Sequence, residues 1–405
     1  MAGKSKGNAV IGQSGGPTAV INQSLVGVVQ ALRKAKLVSG VLGAANGVRG
    51  IIEERFVDLA RLKPSLLERL AVTPAAALGS TRDRPDEEYR RKILDVFAKH
   101  DVRYFFYIGG NDSADTARIV NDMAAADGRE LCVVHIPKTI DNDLRVTDHC
   151  PGYGSAGRFV AAAFMGDDRD VVSLPGIKIN VVMGRHAGWL TAASALGRLD
   201  ETCGPHLVYV PEIPFSLSRF LEDVAEAYSK HGRCQVAVAE GVADEAGKPI
   251  VVDLAEKLDA HVERDSHGNV QLSGTGALGD FLAQYVKKAL GGKKKLRVRA
   301  DTFGYLQRSF PGFASPVDAA EARACGHKAV EYAAKGAQDG SVAIKRLKGK
   351  CYRAGYFRAE LKDVAKETKE MPRDMLNKAG NGVTKKFIDY AMPLIGKLPV
   401  IGLIK

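Results

Sequence analysis

An α/β fold with parallel sheets is predicted by three features of this 405-residue chain. Apolar runs bounded by Gly or Pro alternate with longer stretches in which apolar residues recur every three or four positions. Polar, glycine-rich loops follow the apolar runs, the arrangement found at the carboxyl ends of parallel strands. Hydrophobic content of 45% and charged content of 26% are those of an ordinary globular chain, long enough for two or three domains' worth of core.

The elements follow in order. Ala9–Gly12 reads as a first strand. From Thr18 to Lys34, Val20, Ile21, Leu25, Val28, Val29 and Leu32 keep helical spacing. Pro85–Lys99 reads as a helix with a charged outer face, Val102–Ile108 as a strand, Ser113–Ala126 as a helix and Leu131–Ile136 as a strand. Pro151-Gly152-Tyr153-Gly154 is a turn-rich break and a candidate hinge. A second α/β series follows: helix Ser155–Phe164, strand Ile177–Met183, helix His186–Leu196, strand Leu207–Val210, helix Ser216–Lys230 and strand Gln235–Ala239. Residues 242–273 are polar, with Asp265-Ser266-His267-Gly268-Asn269, and read as an irregular insertion. The basic tail from about Lys345 onward carries only moderate patterning, with no role assigned.

Composition narrows the function classes. No apolar stretch approaches the roughly 20 residues that span a bilayer. The first residues, Met1–Asn8, lack the apolar core of a signal peptide, so cytoplasm is the expected compartment. Six scattered cysteines without a Cys-x-x-Cys pair read as reduced thiols, not staples or zinc ligands. A net charge of +11 suits either nucleic acid or small anionic substrates. Apart from Lys293-Lys294-Lys295 the basic residues form no long runs and no nucleic-acid module is visible, so no nucleic-acid partner is expected.

Two loops carry most of the functional signal. Gly109-Gly110-Asn111-Asp112-Ser113 follows the strand ending at Ile108, and Pro137-Lys138-Thr139-Ile140-Asp141-Asn142-Asp143 follows the strand ending at Ile136. Together they offer backbone N–H groups, carboxylates, a cation and a hydroxyl, the set that phosphoryl transfer between two anions requires. Ser14-Gly15-Gly16 lies between a strand and a helix, where glycines let a backbone approach phosphate and a helix start presents free N–H groups. Taken alone, that Gly-Gly pair is as well explained by a simple turn, and Asp141-Asn142-Asp143 by an Asx turn.

These loops, with Gly12-Gln13-Ser14-Gly15-Gly16, Leu78-Gly79-Ser80-Thr81-Arg82, Met183-Gly184-Arg185, Ala239-Glu240-Gly241 and Arg299 through Tyr305-Leu306-Gln307-Arg308, occur in the order in which they stand in phosphofructokinases. The chain resembles that family over most of its length. Asp112 and Lys138 stand where ATP-dependent members usually have Gly, and resemble the pyrophosphate-dependent branch; so does Tyr305, where ATP-dependent members commonly have His. The resemblance implies two Rossmann-like parallel-sheet domains with the active site in the cleft between them. The first would be residues 1–152 plus about 307–358, and the second 153–306 plus about 359–405.

The resemblance also implies roles. Gly15, Gly16 and Arg82 would bind pyrophosphate, and Asp112 and Lys138 would select the donor, the carboxylate repelling the α-phosphate of ATP while the ammonium pairs with departing phosphate. Asp141 would be the general base on the C1 hydroxyl of fructose 6-phosphate. Asp143 would support the loop and a Mg2+ site, and Thr139 would donate to the moving phosphoryl group. Thr139, Ile140, Asp141, Met183, Gly184, Arg185 and Glu240 would contact the sugar phosphate, with Arg185 a catalytic residue near the reacting hydroxyl and Met183-Gly184-Arg185 starting a helix that offers a second anion site. Arg299, Tyr305 and Arg308 would clamp its 6-phosphate. Asn111 replaces the usual metal-ligating Asp, so the metal site has one carboxylate fewer. A second family arginine has no counterpart except Lys178. The implied protein is a transferase of glycolysis and gluconeogenesis, a homodimer or homotetramer because the clamp draws arginines from a neighbouring subunit. An ATP-dependent enzyme and a non-catalytic sugar-phosphate-binding subunit are the alternatives; His135, His186, Trp189 and Glu212 are read as structural.

Overall fold

The computed structural model describes residues 6–258, 276–292, 296–365 and 367–403. Eleven strands are present among them: β1 (Asn8–Gln13), β2 (Gly40–Ala44), β3 (Phe56–Asp58), β4 (Val102–Gly109), β5 (Cys132–Pro137), β6 (Ile177–Val182), β7 (Leu207–Tyr209), β8 (Cys234–Ala239), β9 (Val298–Thr302), β10 (Asp339–Arg346) and β11 (Ala354–Ala359). The chain divides into two compact units, Met1–Ser155 with Arg308–Lys369, and Ala156–Gln307 with Glu370–Lys405.

The first unit holds a seven-stranded sheet of order β11-β10-β5-β4-β1-β2-β3. Its five inner strands run parallel, and the edge strands β11 and β3 are antiparallel to their neighbours. Both faces are covered, which explains why its inner strands read as nearly continuous apolar runs. One face packs Ile11, Phe106, Ile108, Val134 and Ile136 against helices Ile21–Ala35 and Pro316–Ala334. The other packs Val10, Phe105, Tyr107 and Val133 with Ile93 and Phe97 of helix Glu87–Lys99 and Val120 of helix Asn111–Ala126. The two helices on the first face touch through glycines: a Cβ on Gly27 would lie 2.3 Å from the Arg323 carbonyl oxygen, and one on Gly326 2.3 Å from that of Ser24.

The second unit holds a four-stranded, all-parallel sheet of order β7-β8-β6-β9. Ile179, Val181, Val236 and Val238 face Phe220 and Val224 of helix Leu217–His231 and Leu282 and Val286 of helix Ala277–Leu290. No helix among the described residues is long and apolar enough to cross a membrane.

Three expectations are corrected. The helix expected at Ser155–Phe164 runs from Tyr153 to Ser173. Its start falls inside the turn-rich break because the buried Asp318 carboxylate accepts from the Gly152 and Ser155 N–H groups at 2.9 and 2.8 Å, a side-chain cap supplied from another helix. The helix expected over His186–Leu196 is only Trp189–Ala192, followed by a 3-10 turn over Ala193–Gly197. There Gly188 sits so close to Val210 that a Cβ would lie 2.3 Å from it, and the residues before it are held by turns. The expected irregular insertion contains a helix, Ile250–Leu258; its residues 259–273, and Lys293-Lys294-Lys295, lie outside the described residues.

The helix crossing supplies a test. Gly27→Ala gains helix propensity but drives a methyl into backbone, and the helices must separate. Thermal unfolding of this variant should show a net loss of about 1–3 kcal/mol. A variant as stable as the parent would show that the crossing has slack.

Candidate active site

In the first unit, β1 lies between β4 and β2, so the chain leaves β1 in opposite directions on its two sides. Such a switch point opens a crevice at the carboxyl ends of the strands, where open α/β sheets bind ligands. The loops after β1, β4 and β5 gather there.

The loop after β1 is stitched from below. Ser14 N–H donates to the Ile108 carbonyl at 2.9 Å and Gly15 N–H to that of Thr81 at 2.9 Å. Ser80 Oγ donates to the Gly15 carbonyl at 2.6 Å. The buried Gln13 side chain donates to Asn22 and accepts from Leu78 N–H, and Asn22 in turn donates to the Thr73 and Ala75 carbonyls. Gly15 takes a φ of +75°, and a Cβ there would lie 3.1 Å from Lys138 Nζ. The helix expected to begin at Thr18 begins at Ile21, which leaves the loop free to turn before it.

Lys138 is the centre of this crevice. It is 3% exposed, and its ammonium donates to the Gly16 carbonyl at 2.7 Å while its backbone N–H donates to that of Gly109 at 2.9 Å. Burial pushes its pKa down to about 8; the nearby Arg308 and Arg82 add to this, and Asp141 and Asp143 oppose it. The Arg308 guanidinium packs on Gly16, 3.4 Å from where a Cβ would sit. Three cations and two glycines thus stand near one another, a set suited to a polyanion with several phosphoryl oxygens.

Arg82 is held there by its neighbour. Asp83 accepts from Arg49 through two nitrogens and from the Tyr89 hydroxyl at 2.9 Å, and its N–H donates to Thr81 Oγ1. The Arg49 contact holds the Asp83 carboxyl below its ordinary range. No motif in the sequence singles out Asp83 for this anchor.

The loop after β5 closes on itself. Thr139 Oγ1 accepts from Asp141 N–H at 3.0 Å and is bonded to the Asp143 carboxyl, and Thr139 N–H donates to the Pro151 carbonyl at 3.1 Å. The Thr139 hydroxyl therefore shapes the loop, whereas the sequence reading aimed it at the phosphoryl group. Asn142 is buried at a φ of +57°, a conformation that Asn tolerates, and its side chain accepts from Cys150 N–H. Asp141 is half-buried beside it, and Ile140 is buried. Burial raises the Asp143 carboxyl, against the Thr139 bond and the charges of Lys369 and Lys138. Lys369, which no sequence signal singled out, fastens the loop: its N–H donates to the Asp143 carbonyl at 2.7 Å and its ammonium to the Asp148 carbonyl at 2.9 Å.

Asn111 starts helix Asn111–Ala126, and its own side-chain oxygen accepts from Asp112 N–H at 2.8 Å. That oxygen is a turn former first, whatever it gives a metal. Asp112 is exposed and 3.3 Å from Arg84, a pair of the kind that contributes little.

In the second unit, the carboxyl ends of β6, β8 and β9 bring Met183, Gly184, Arg185, Glu240 and the 304–307 turn together. Glu240 N–H donates to the Val182 carbonyl and Gly241 N–H to that of Gly184. A Cβ on Gly241 would lie 2.0 Å from the Arg185 carbonyl oxygen, so only glycine lets the two loops touch. The buried Gln307 side chain accepts from Met183 N–H and donates to the Gly304 carbonyl. Tyr305 is 55% exposed and Arg185 exposed, while Glu240 is buried. Glu212 clips the loop end, accepting from Gly188 N–H at 2.9 Å and Met371 N–H at 3.0 Å. Because the helix after Arg185 is a single turn, no long helix offers a second anion site here.

One expected clamp residue, Arg299, lies at the other end of its strand from the 304–307 turn. Arg299 is at the amino end of β9, in register with Lys178, while Met183 follows the carboxyl end of β6. Lys178 is paired with Asp301 at 2.5 Å and Asp167 at 3.5 Å. Arg308 belongs to the first unit, beside Gly16.

Comparisons with known proteins show what the whole chain is similar to. Residues 8–333 match the family described as Phosphofructokinase. A pyrophosphate--fructose 6-phosphate 1-phosphotransferase of Rhodospirillum rubrum is 54% identical over 392 residues, 97% of this chain and 95% of that protein. The enzyme of the same description from Xanthomonas campestris is 39% identical over 404 residues, 97% of this chain and 93% of its own. A crystal structure of pyrophosphate-dependent phosphofructokinase from Marinobacter aquaeolei superposes with a TM-score of 0.85 at 34% identity, covering 98% of this chain and 94% of that one. With the family match spanning most of the chain and its glycine loops, Lys138 and the Asp141–Asp143 turn all standing at strand ends, this chain belongs to the phosphofructokinase family.

Proposed function

We propose that this protein transfers a phosphoryl group from pyrophosphate to the C1 hydroxyl of fructose 6-phosphate, reversibly, giving fructose 1,6-bisphosphate and phosphate. The observation that carries the donor assignment is Lys138. Its buried ammonium lies over the Gly15-Gly16 backbone, in space that the small residue of ATP-dependent relatives would leave open.

Asp141 takes the proton of the C1 hydroxyl as that oxygen attacks the nearer phosphorus in line. The bridging P–O bond breaks, and the departing phosphate leaves with the electron pair toward Lys138 and Arg82. Gly15 and Gly16 admit the phosphates to close backbone approach. Thr139 and Asp143 hold Asp141 in place through the loop bonds described above. Arg308, packed on Gly16, serves the same phosphates from the first unit. Met183, Gly184, Arg185, Glu240 and Tyr305 hold the sugar phosphate, with Glu240 accepting from sugar hydroxyls.

Phosphofructokinases generally use Mg2+. Among the described residues no group of three His, Cys, Asp or Glu side chains could hold a metal ion. The residues fit a magnesium that enters with pyrophosphate, keeps several waters and needs one or two carboxylates. Asp143 would supply one, with Asn111 reaching the metal through its second lone pair or through water. The ion would neutralise charge on the phosphoryl oxygens.

A homo-oligomer is part of the proposal. Arg299 sits at the strand end opposite to Glu240 and Tyr305, which supports its reaching the site of a second copy. The cytoplasm suits a chain whose six cysteines are all free thiols.

Asp141→Asn should lower kcat by about 10²–10⁴-fold and leave fructose 6-phosphate binding nearly intact; a variant keeping a third of the parent rate would remove Asp141 from the base role.

Donor identity is decided by paired initial rates on fructose 6-phosphate. Pyrophosphate should support turnover and ATP should not, and Lys138→Gly should weaken pyrophosphate use by at least about tenfold in kcat/KM. Equal rates with ATP and pyrophosphate would refute the donor assignment.

The depressed Lys138 gives a pH signature. Its ammonium is present below about 8 and is lost as pH rises through that value. The KM for pyrophosphate should therefore rise from pH 7 to 9 relative to Lys138→Arg, which stays charged, while the KM for fructose 6-phosphate changes alike in both proteins. Parallel profiles for pyrophosphate would show that Lys138 does not titrate there.

A further inference from the structure

The register of the seven-stranded sheet lines up Gly12, Tyr107, His135 and Ser341 across β1, β4, β5 and β10. One layer deeper on the same face stand Val10, Phe105 and Val133, all fully buried. The face thus changes from apolar to polar one step before the phosphate-binding loops. Each large polar residue of that row bonds either a loop or its neighbour in the row. The Tyr107 hydroxyl is bonded to the Ser14 side chain and the Val48 backbone. His135 Nε2 is 2.9 Å from the Gly109 carbonyl oxygen, and Nδ1 is 2.8 Å from Ser341 Oγ.

A carbonyl oxygen only accepts, so Nε2 carries the proton and Nδ1 accepts from the Ser341 hydroxyl. Burial pushes the His135 pKa down to about 4, which keeps the imidazole neutral and this tautomer in place. The same Gly109 carbonyl accepts from the Lys138 backbone N–H at 2.9 Å. One oxygen is therefore held from below by His135 and from the side by the residue whose ammonium reaches Gly16. The turn has no slack, since a Cβ on Gly109 would lie 2.0 Å from Ser113 Oγ. Stability does not call for the His135–Ser341 bond, since exchanging both of its side chains for apolar groups of the same shape is nearly neutral, whereas the Gly109 carbonyl, being backbone, would lose a donor. What the imidazole adds is direction.

We infer that His135 is a positioning residue of the pyrophosphate site, which orients the Gly109–Gly110 peptide through its carbonyl and so sets where Lys138 leaves β5. This rests on the pyrophosphate reading above.

The test uses the full chain with His135→Leu, His135→Gln and Ser341→Ala. Glutamine keeps an N–H for the Gly109 carbonyl and an oxygen for Ser341. His135→Leu should raise the KM for pyrophosphate by about tenfold, the size of one lost buried hydrogen bond, with the KM for fructose 6-phosphate within about twofold. His135→Gln should return to within about threefold of the parent, and Ser341→Ala should raise the pyrophosphate KM by about threefold. A purely structural role would reduce the active fraction, lowering kcat and leaving both KM values alone. That result, an equal rise in both KM values, or failure of glutamine to recover the site would overturn the inference. If His135→Leu does not fold, Ser341→Ala and His135→Gln decide it, and an unchanged pyrophosphate KM in Ser341→Ala refutes it. Absence of pyrophosphate-dependent turnover in the parent would refute the functional reading instead. Calorimetric pyrophosphate binding by the same four proteins then carries the positioning test, with the same pattern expected in Kd.

Discussion

The contact between the Lys138 ammonium and the Gly16 carbonyl is the interaction on which the rest of the site depends. An isolated ammonium in a protein interior is expensive, and here it survives by pairing with a backbone oxygen while Asp141 and Asp143 lend opposite charge. The contact ties the loop after β5 to the loop after β1, and the Lys138 backbone ties it to the end of β4. Three loops that are far apart in sequence become one surface. Arg82 and Arg308 beside it make that surface strongly cationic.

Buried and half-buried carboxylates do much of the remaining fastening, each by collecting donors from elsewhere in its own unit. Asp318 caps the helix that begins at Tyr153 and accepts from the Ser155 hydroxyl at 2.6 Å. Gly152, which it also holds, pairs with Thr139 in an isolated bridge, so the cap bears on the Asp141 loop. Asp83 anchors the turn that carries Arg82, and Glu212 clips the loop that carries Arg185. None of the three needs to touch substrate. A carboxylate that accepts several N–H or O–H groups is the most economical way to fix an irregular loop, because one side chain satisfies several otherwise unpaired donors.

Arginine placement separates the chemistry of the two sets of loops. Four arginines had been grouped by motif alone: Arg82 with pyrophosphate, Arg299 and Arg308 with the 6-phosphate, and Arg185 with the reacting hydroxyl. Arg308 shares its surroundings with Lys138 and Gly16, and Arg299 leaves the amino end of its strand. Motif order therefore carried the family, but not which end of a strand each cation leaves.

How much of this was legible in the sequence depends on the range of the interaction. Strand β4, strand β5 and helix Glu87–Lys99 fell within two residues of their observed bounds, because period and flanking Gly or Pro are local signals. The glycine loops and the Thr139–Asp143 turn were legible for the same reason: their chemistry lies within a few consecutive residues. Tertiary structure alone decided where helix Tyr153–Ser173 starts, since its cap is Asp318, and why the stretch after Arg185 forms a single turn. It alone showed that the Thr139 hydroxyl is used inside its loop. It also revealed Asp83, Lys369 and His135 as fastenings, because each bonds a group that strand pairing or packing brings to it: side chains of Arg49 and Tyr89 for Asp83, backbone carbonyls for Lys369 and His135. A hydrogen bond between residues hundreds of positions apart leaves no period and no motif in the chain; only the fold puts donor and acceptor within 3 Å.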